Sequence, residues 1–319
     1  MSPAPSANDY PAMPTSPTPR RRFLRALAAA ASLPLTGAPQ GQPATALTRP
    51  IPSTGEPLPV VGLGSWITFN VGNDPVARDA AAEVVRAFFA AGGRLIDSSP
   101  MYGSSQSTIG HALRRLGHPA QLFAADKVWI GSGARGPAQI EESRRHWDIA
   151  RFDLLQVHNL LAWEEHLPML FALKSAGRLR HVGITTSHGR RHGDVEAIMR
   201  RHPLDFVQVS YSLVDREIEQ RILPLARDRG IAIIVNRPFR EGALLRTLER
   251  RSLPAWAGEI GATSWAQFAL KFVVSHPAVT CAIPATSRVD HVRENLAVAR
   301  APLPDEPQRR RMAAYVEQL

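Results

Sequence analysis

The sequence predicts an α/β protein, a (β/α)8 TIM barrel with an N-terminal β-hairpin cap. Three observations predict it. From Val60 onward short apolar runs alternate with longer amphipathic ones, the apolar runs number eight, and residues able to move protons stand at the downstream ends of consecutive runs. Near-continuous apolar runs suit strands of a parallel sheet, whose two faces are both covered. Strand–helix alternation implies parallel pairing through right-handed crossovers. Eight such units in one chain point to a closed barrel more than to an open sheet.

The strand-like runs are Val60 to Leu63, Arg94 to Asp97, Leu122 to Lys127, Phe152 to His158, His181 to Thr185, Phe206 to Ser210, Ile231 to Asn236 and Val279 to Pro284. Helical patterns lie between them: Val76 to Ala91, Ser107 to Leu116, Pro137 to Trp147, Trp163 to Ala176, Asp194 to His202, Ile218 to Arg229 and Ser264 to His276. The long interval from Asn236 to Val279 leaves room for an extra loop or helix. Ile51 to Val60, with Gly55 at its turn, predicts a small hairpin over the barrel floor. Asp305 to Gln318 predicts a final helix. An open doubly wound sheet would need a G-x-G-x-x-G turn after an early strand. Gly62-Leu63-Gly64 offers the first pair alone, so that fold is rejected.

With 319 residues, 44% of them hydrophobic, the chain can bury a sizeable core without disulfides. Cys281 is the single cysteine. The formal charge is +10, yet acidic and basic residues are mixed along the chain, as in Glu141-Glu142 followed by Arg144-Arg145. That predicts a solvated mixed surface and no nucleic-acid face. His188 and His192 have metal-ligand spacing, but beside Arg190 and Arg191 they read as a solvated helix start, and no metal is expected. Of 38 basic residues, lysine occurs only at Lys127, Lys174 and Lys271. A lysine that ends an apolar run in so arginine-rich a chain suggests a need for a compact ammonium of adjustable pKa.

Residues 1–19 are rich in Pro, Ser and Ala and predict disorder. Arg20-Arg21-Arg22-Phe23-Leu24-Arg25 and the apolar stretch Ala26 to Leu35 resemble a twin-arginine (Tat) export signal. Small residues at Thr36-Gly37-Ala38 or Ala44-Thr45-Ala46 could end it. The apolar stretch is too short for a stable membrane span. The expectation is a disordered, signal-bearing segment 1–46 before a barrel at 47–319. The Tat machinery would be a partner and the periplasm the destination, or the cytoplasm if the signal is not used.

Catalytic groups in this fold gather at the carboxyl ends of the strands. Asp97 ends the second run, Lys127 the third and His158 the fourth, and Tyr102 follows in the loop after the second. A phenol is a weak acid at neutral pH. An ammonium beside it would lower its pKa, a carboxylate would hold the ammonium, and an imidazole would orient a carbonyl oxygen. Singly, Asp97 could be a helix cap, Lys127 a surface residue and His158 a buried structural histidine. Together at one mouth they suit protonation of a developing alkoxide.

The segments Arg94-Leu-Ile-Asp97-Ser-Ser-Pro-Met-Tyr102-Gly103, Lys127-Val-Trp129 and Leu154-Leu-Gln-Val-His158-Asn159 resemble the motifs of aldo-keto reductases, as does Gly62-Leu-Gly-Ser-Trp66. The resemblance runs from about Arg49 to Asn295. It implies hydride transfer between NADP(H), or NAD(H), and a carbonyl or alcohol at the barrel mouth. It also implies cofactor contacts. Thr185, Thr186 and Gln208 stand where relatives hold the carboxamide, with Thr186 replacing an amide side chain. Asn236 replaces a ring that often stacks on nicotinamide. Arg237, Pro238, Phe239 and Gly242 would lie along the pyrophosphate. Thr286, Arg288, Glu294 and Asn295 would meet the adenosine end, with Arg288 supplying charge for a ribose phosphate. Trp66, Phe69, Trp129 and Asn159 are expected at the substrate mouth, where ordinary rim packing is the other reading of the aromatics.

The leading expectation is an enzyme that reduces an aldehyde or ketone with Tyr102 as general acid. A nicotinamide-binding redox-sensing or partner-binding subunit with little turnover is the alternative. A barrel lyase or hydrolase would need a metal cluster or paired carboxylates, and the sequence offers neither.

Overall fold

The computed structural model describes residues 46–319. The export signal expected within residues 1–46 lies outside the described residues, apart from Ala46. Two short strands, β1 (Thr48–Pro50) and β2 (Pro57–Pro59), pair antiparallel as the expected hairpin. Eight parallel strands follow: β3 (Leu63–Gly64), β4 (Leu95–Asp97), β5 (Phe123–Val128), β6 (Leu154–His158), β7 (His181–Thr185), β8 (Phe206–Ser210), β9 (Ala232–Asn236) and β10 (Cys281–Ala282). They neighbour one another in chain order. Parallel bridges Val61↔Ala282 and Gly64↔Ala285 join the ends and close the cylinder.

The helices are α1 (Pro75–Ala90), α2 (Ser105–Arg115), α3 (Gly136–Trp147), α4 (Trp163–Ser175), α5 (His192–Arg201), α6 (Ile222–Arg229), α7 (Ala243–Leu248), α8 (Trp265–Ser275), α9 (Val289–Ala297) and α10 (Glu306–Glu317). The long interval before the last strand holds α7 and a 3₁₀ turn at Ala255–Ile260. The helix expected from Ile218 starts later: a 3₁₀ turn, Glu217–Glu219, precedes α6. Pro224 fits this start, since it lacks an amide hydrogen and is best accommodated in a first helical turn.

The closing seam explains Gly62 and Gly64. A Cβ on Gly64 would lie 2.6 Å from the Ile283 carbonyl oxygen, and one on Gly62 would lie 2.9 Å from that of Leu95. Having no side chain, Gly64 lets the first strand approach the last, and Gly62 lets it lie close against β4.

Alternation along each strand sets what faces the interior. At the floor the inward residues are mostly apolar: Leu95, Phe123, Leu154 and Phe206 pack with Ile51 and Leu58 of the hairpin, and buried His181 of β7 packs against the Phe123 and Phe206 rings. Two to four residues further along the same faces come Asp97, Lys127, His158, Thr185 and Gln208. The interior is thus oily below and polar at the mouth. The outward faces build the larger core against the helices.

All three lysines are engaged. Lys127 pairs with Asp97, Lys174 with Asp205 at 2.6 Å, and Lys271 donates to the Pro302 carbonyl at 2.7 Å. Among the described residues, no helix is long and apolar enough to cross a membrane, and no group of metal-binding side chains gathers.

Candidate active site

Strand register brings three side chains to one mouth. Asp97 pairs across to Ala125 and Lys127 to Gln156, while His158 pairs to Thr185. Lys127 Nζ donates to Asp97 Oδ2 at 2.5 Å and to the Ser98 carbonyl at 2.7 Å, and both side chains are closed to solvent. The other carboxylate oxygen, Asp97 Oδ1, accepts from Gln208 Nε2 at 2.9 Å and Gln156 Nε2 at 3.3 Å. This carboxylate is therefore held at both oxygens.

Tyr102 arrives on a tight turn, its amide donating to the Ser99 carbonyl at 3.0 Å. Its ring lies 5.0 Å from Lys127 Nζ and meets the His158 ring edge-on at 5.6 Å. Trp66 packs against its outer side, with centroids 4.9 Å apart. All four expected proton-handling residues thus share one site.

The electrostatics depart from expectation in one respect. Burial raises the Tyr102 pKa, and the Lys127 ammonium only partly opposes it while Asp97 adds to the rise. The ammonium does pull that pKa down, as expected, but desolvation of the phenolate is the larger effect, so the net shift is upward. Burial also works against the Lys127 ammonium, but Asp97 and Tyr102 outweigh it and raise its pKa. His158 is pushed down to about 2 by burial and by the Lys127 charge, so its imidazole is neutral.

These groups open on a cavity of about 740 Å³. Trp66 and Asn159 line it, as expected. Phe69 does not: it is wholly buried in the core. The chain turns back at Ser65–Phe69, with the Phe69 amide donating to the Ser65 carbonyl, so Ile67 points outward and Phe69 folds beneath. Ile67 holds φ +65°, costly for a β-branched residue, at the rim of the cavity. Trp129 is 39% exposed and lies outside the cavity lining, its backbone clamped by the Gln139 amide.

Thr185, Gln208, Asn236, Arg237, Pro238, Phe239, Gly242, Thr286, Glu294 and Asn295 line the same cavity. Thr185 Oγ1 donates to Gln208 Oε1 at 3.2 Å, and Asn236 Nδ2 donates to the Thr186 carbonyl at 3.0 Å. Thr186 itself is a correction: its buried hydroxyl has no partner and it does not line the cavity. It follows the last residue of β7 with its amide still bonded to the Gln208 carbonyl, and the alternation carried past the strand end turns it outward. In the turn expected along the pyrophosphate, the backbone amides of Arg240, Gly242 and Ala243 are already used within the turn. The cation is the better candidate: Arg237 has a buried Nη1 without a partner, and only a 3.6 Å ion pair to Glu241. An orphaned guanidinium nitrogen fits an anionic group such as a pyrophosphate.

Arg288 is also a correction. Its side chain is mostly exposed, outside the cavity lining, and forked onto Asp290. His291 and Arg251 line the cavity, whereas Arg288 does not.

Three further residues escape sequence reading. Ser99 Oγ lies 2.7 Å from His158 Nδ1. Gln156 braces Asp97. Asp126, between inward Ala125 and Lys127, points outward and accepts from Trp147 Nε1 at 2.5 Å and Gln106 Nε2 at 2.8 Å. Burial pushes its carboxyl up to about 7. Its polarity inside an apolar run was the visible signal.

Comparison with known proteins agrees with this geometry. The chain is similar to methylglyoxal reductase YeaE of Escherichia coli (strain K12), 27% identical over 246 residues, covering 76% of this chain and 85% of that protein. It is similar to an NADH-specific methylglyoxal reductase of the same organism, 27% identical over 248 residues, covering 65% and 72%. An aldo/keto reductase from Klebsiella pneumoniae, solved in complex with NADP and acetate, shares the fold with TM-score 0.71 at 23% identity, covering 82% of this chain and 92% of that one. Residues 60–314 match the Aldo/keto reductase family. The chain therefore belongs to the aldo/keto reductase family and is an NAD(P)H-dependent oxidoreductase.

Proposed function

We propose that the protein reduces an aldehyde or ketone to an alcohol with NADP(H), and that Tyr102 supplies the proton. The observation that carries this reading is one cavity holding Tyr102 over the buried Lys127–Asp97 pair, with neutral His158 at its edge and the unpartnered Arg237 nitrogen further along. Arg237 would hold the cofactor's pyrophosphate, and Thr185, Gln208 and Asn236 its carboxamide end. When bound, the cofactor supplies a hydride to the carbonyl carbon.

The protein's own residues then handle the oxygen. His158, neutral, orients the carbonyl oxygen by hydrogen bonding. Tyr102 hands its proton to that oxygen as negative charge develops there. Lys127 stabilises the phenolate left behind, and Asp97 keeps the ammonium charged and in place. A raised phenol pKa suits this direction, since the acid stays protonated through neutral pH. Trp66, Ile67 and Met101 form an apolar wall beside Tyr102, suited to the non-reacting part of a small carbonyl compound. Relatives named for methylglyoxal reduction make that compound the first to try.

Titration of the purified protein with NADPH and NADH, followed by fluorescence, and then turnover on aldehydes including methylglyoxal test the proposal. Binding of neither cofactor would overturn it. Export through the Tat system remains part of the proposal for residues 1–46. Fractionation of cells expressing the full chain and an Arg20, Arg21, Arg22→Lys variant tests it, with equal distribution of the two counting against export.

A further inference from the structure

We propose that Ser99 is a positioning residue that fixes the tautomer of His158. The inference rests on the reading of His158 as the group that orients the carbonyl. Ser99 Oγ and His158 Nδ1 are 2.7 Å apart, and both residues are buried. The same hydroxyl oxygen already accepts the Met101 amide at 3.2 Å. Its one hydrogen has His158 Nδ1 as its partner, so Ser99 donates and Nδ1 accepts. If instead Nδ1 carried the proton, the buried hydroxyl hydrogen would be left without an acceptor, a costly arrangement.

The consequence falls on the other ring nitrogen. A neutral imidazole that accepts at Nδ1 must carry its hydrogen on Nε2. Burial and the Lys127 charge keep the ring neutral, so this tautomer persists across ordinary pH. An Nε2–H is a donor, which is what a carbonyl oxygen needs. The opposite tautomer would present a lone pair to that oxygen and repel it.

Ser99 has a second tie. Its backbone carbonyl accepts the Tyr102 amide at 3.0 Å, so one residue anchors the turn carrying the proton donor and aims the orienting imidazole.

Nitrogen NMR on protein labelled with ¹⁵N-histidine tests this directly, with His158→Gln used to assign the signal. The expected spectrum has His158 protonated at Nε2 and bare at Nδ1. In Ser99→Ala it becomes a tautomer mixture, and in Ser99→Thr it returns to the native pattern. Turnover should follow: kcat for carbonyl reduction falls about tenfold in Ser99→Ala, NADPH affinity is kept, and Ser99→Thr recovers most of the loss. A native His158 protonated at Nδ1, or a Ser99→Ala spectrum identical to the native one, would overturn the assignment. The spectrum needs no turnover. A protein with the expected tautomer but no carbonyl reductase activity would sink the proposed reaction and leave the Ser99 assignment standing.

Discussion

Lys127 Nζ and Asp97 Oδ2 meet at 2.5 Å inside the barrel, with the Tyr102 ring 5.0 Å from the ammonium. An ion pair sealed from water is held together by strong attraction and opposed by the desolvation of both charges. Removing one partner therefore costs more than removing both. Asp97→Asn leaves a buried ammonium without its counter-charge, and a loss of about 3–5 kcal/mol is expected. The double variant Asp97→Asn, Lys127→Met should recover a large part of that loss while remaining inactive. Urea unfolding of the native protein, both single variants and the double measures it, and additive losses would contradict the coupling.

Tyr102→Phe removes the proton donor and little else. Reduction should fall by about 10²–10⁴-fold, with NADPH affinity unchanged. Because the native phenol stays protonated and His158 stays neutral, the native rate of reduction should show no titration near the usual histidine pKa of about 6.5. A pH–rate profile with a clear break there would show that an ionising imidazole takes part.

Arg237→Ala should weaken both NADPH and NADH about tenfold or more, the usual scale of a lost charge-assisted hydrogen bond. Arg288→Ala should leave both affinities within about twofold, since exposed ion pairs such as Arg288–Asp290 contribute little. Fluorescence titration decides between them. A selective loss of NADPH binding in Arg288→Ala would restore Arg288 as the phosphate reader.

Buried Asp126 makes the stability of the barrel depend on pH. Its folded pKa, pushed up to about 7, lies above the unfolded value of about 4. The folded state then holds a proton that the unfolded chain releases. The associated stability is full below about pH 4 and is lost as pH rises through about 7. His158 has the opposite displacement and acts in the same window, so the native profile mixes the two. Comparison with Asp126→Asn isolates the first: native stability minus variant stability should fall between about pH 4 and 7 and then level off. A difference that rises across that window would show that the hydrogen bonds to Asp126 from Trp147, Gln106 and the Lys127 amide hold it ionised.

The barrel and the acid–base quartet were legible because both follow from simple periodicities. Eight apolar runs set the strands, and polar residues ending those runs could only be at the mouth. Direction was harder to read. Thr185 and Thr186 look equivalent as text, but alternation sends one to the cavity and its neighbour away. Phe69 looks like a rim aromatic until the turn at Ile67 tucks it into the core. Arg288 carries the right charge, yet Asp290 two residues later takes it up, while Arg237 keeps Nη1 without a partner and meets Glu241 only at 3.6 Å through Nε. Ser99 and His158 stand 59 positions apart, and nothing local marks a serine for a partner so distant. Charge and spacing are written in the chain, whereas the aim of a short side chain emerges only on folding.

The engagement of the lysines has a practical corollary. Lys127 and Lys271 are sealed, and only Lys174 shows appreciable area to solvent, 37% of its side chain. Acylating reagents should mark Lys174 first and leave the other two side-chain amines untouched while the cylinder is intact. Capture of Lys127 by such a reagent then times the opening of the barrel mouth, a clock that needs no introduced label.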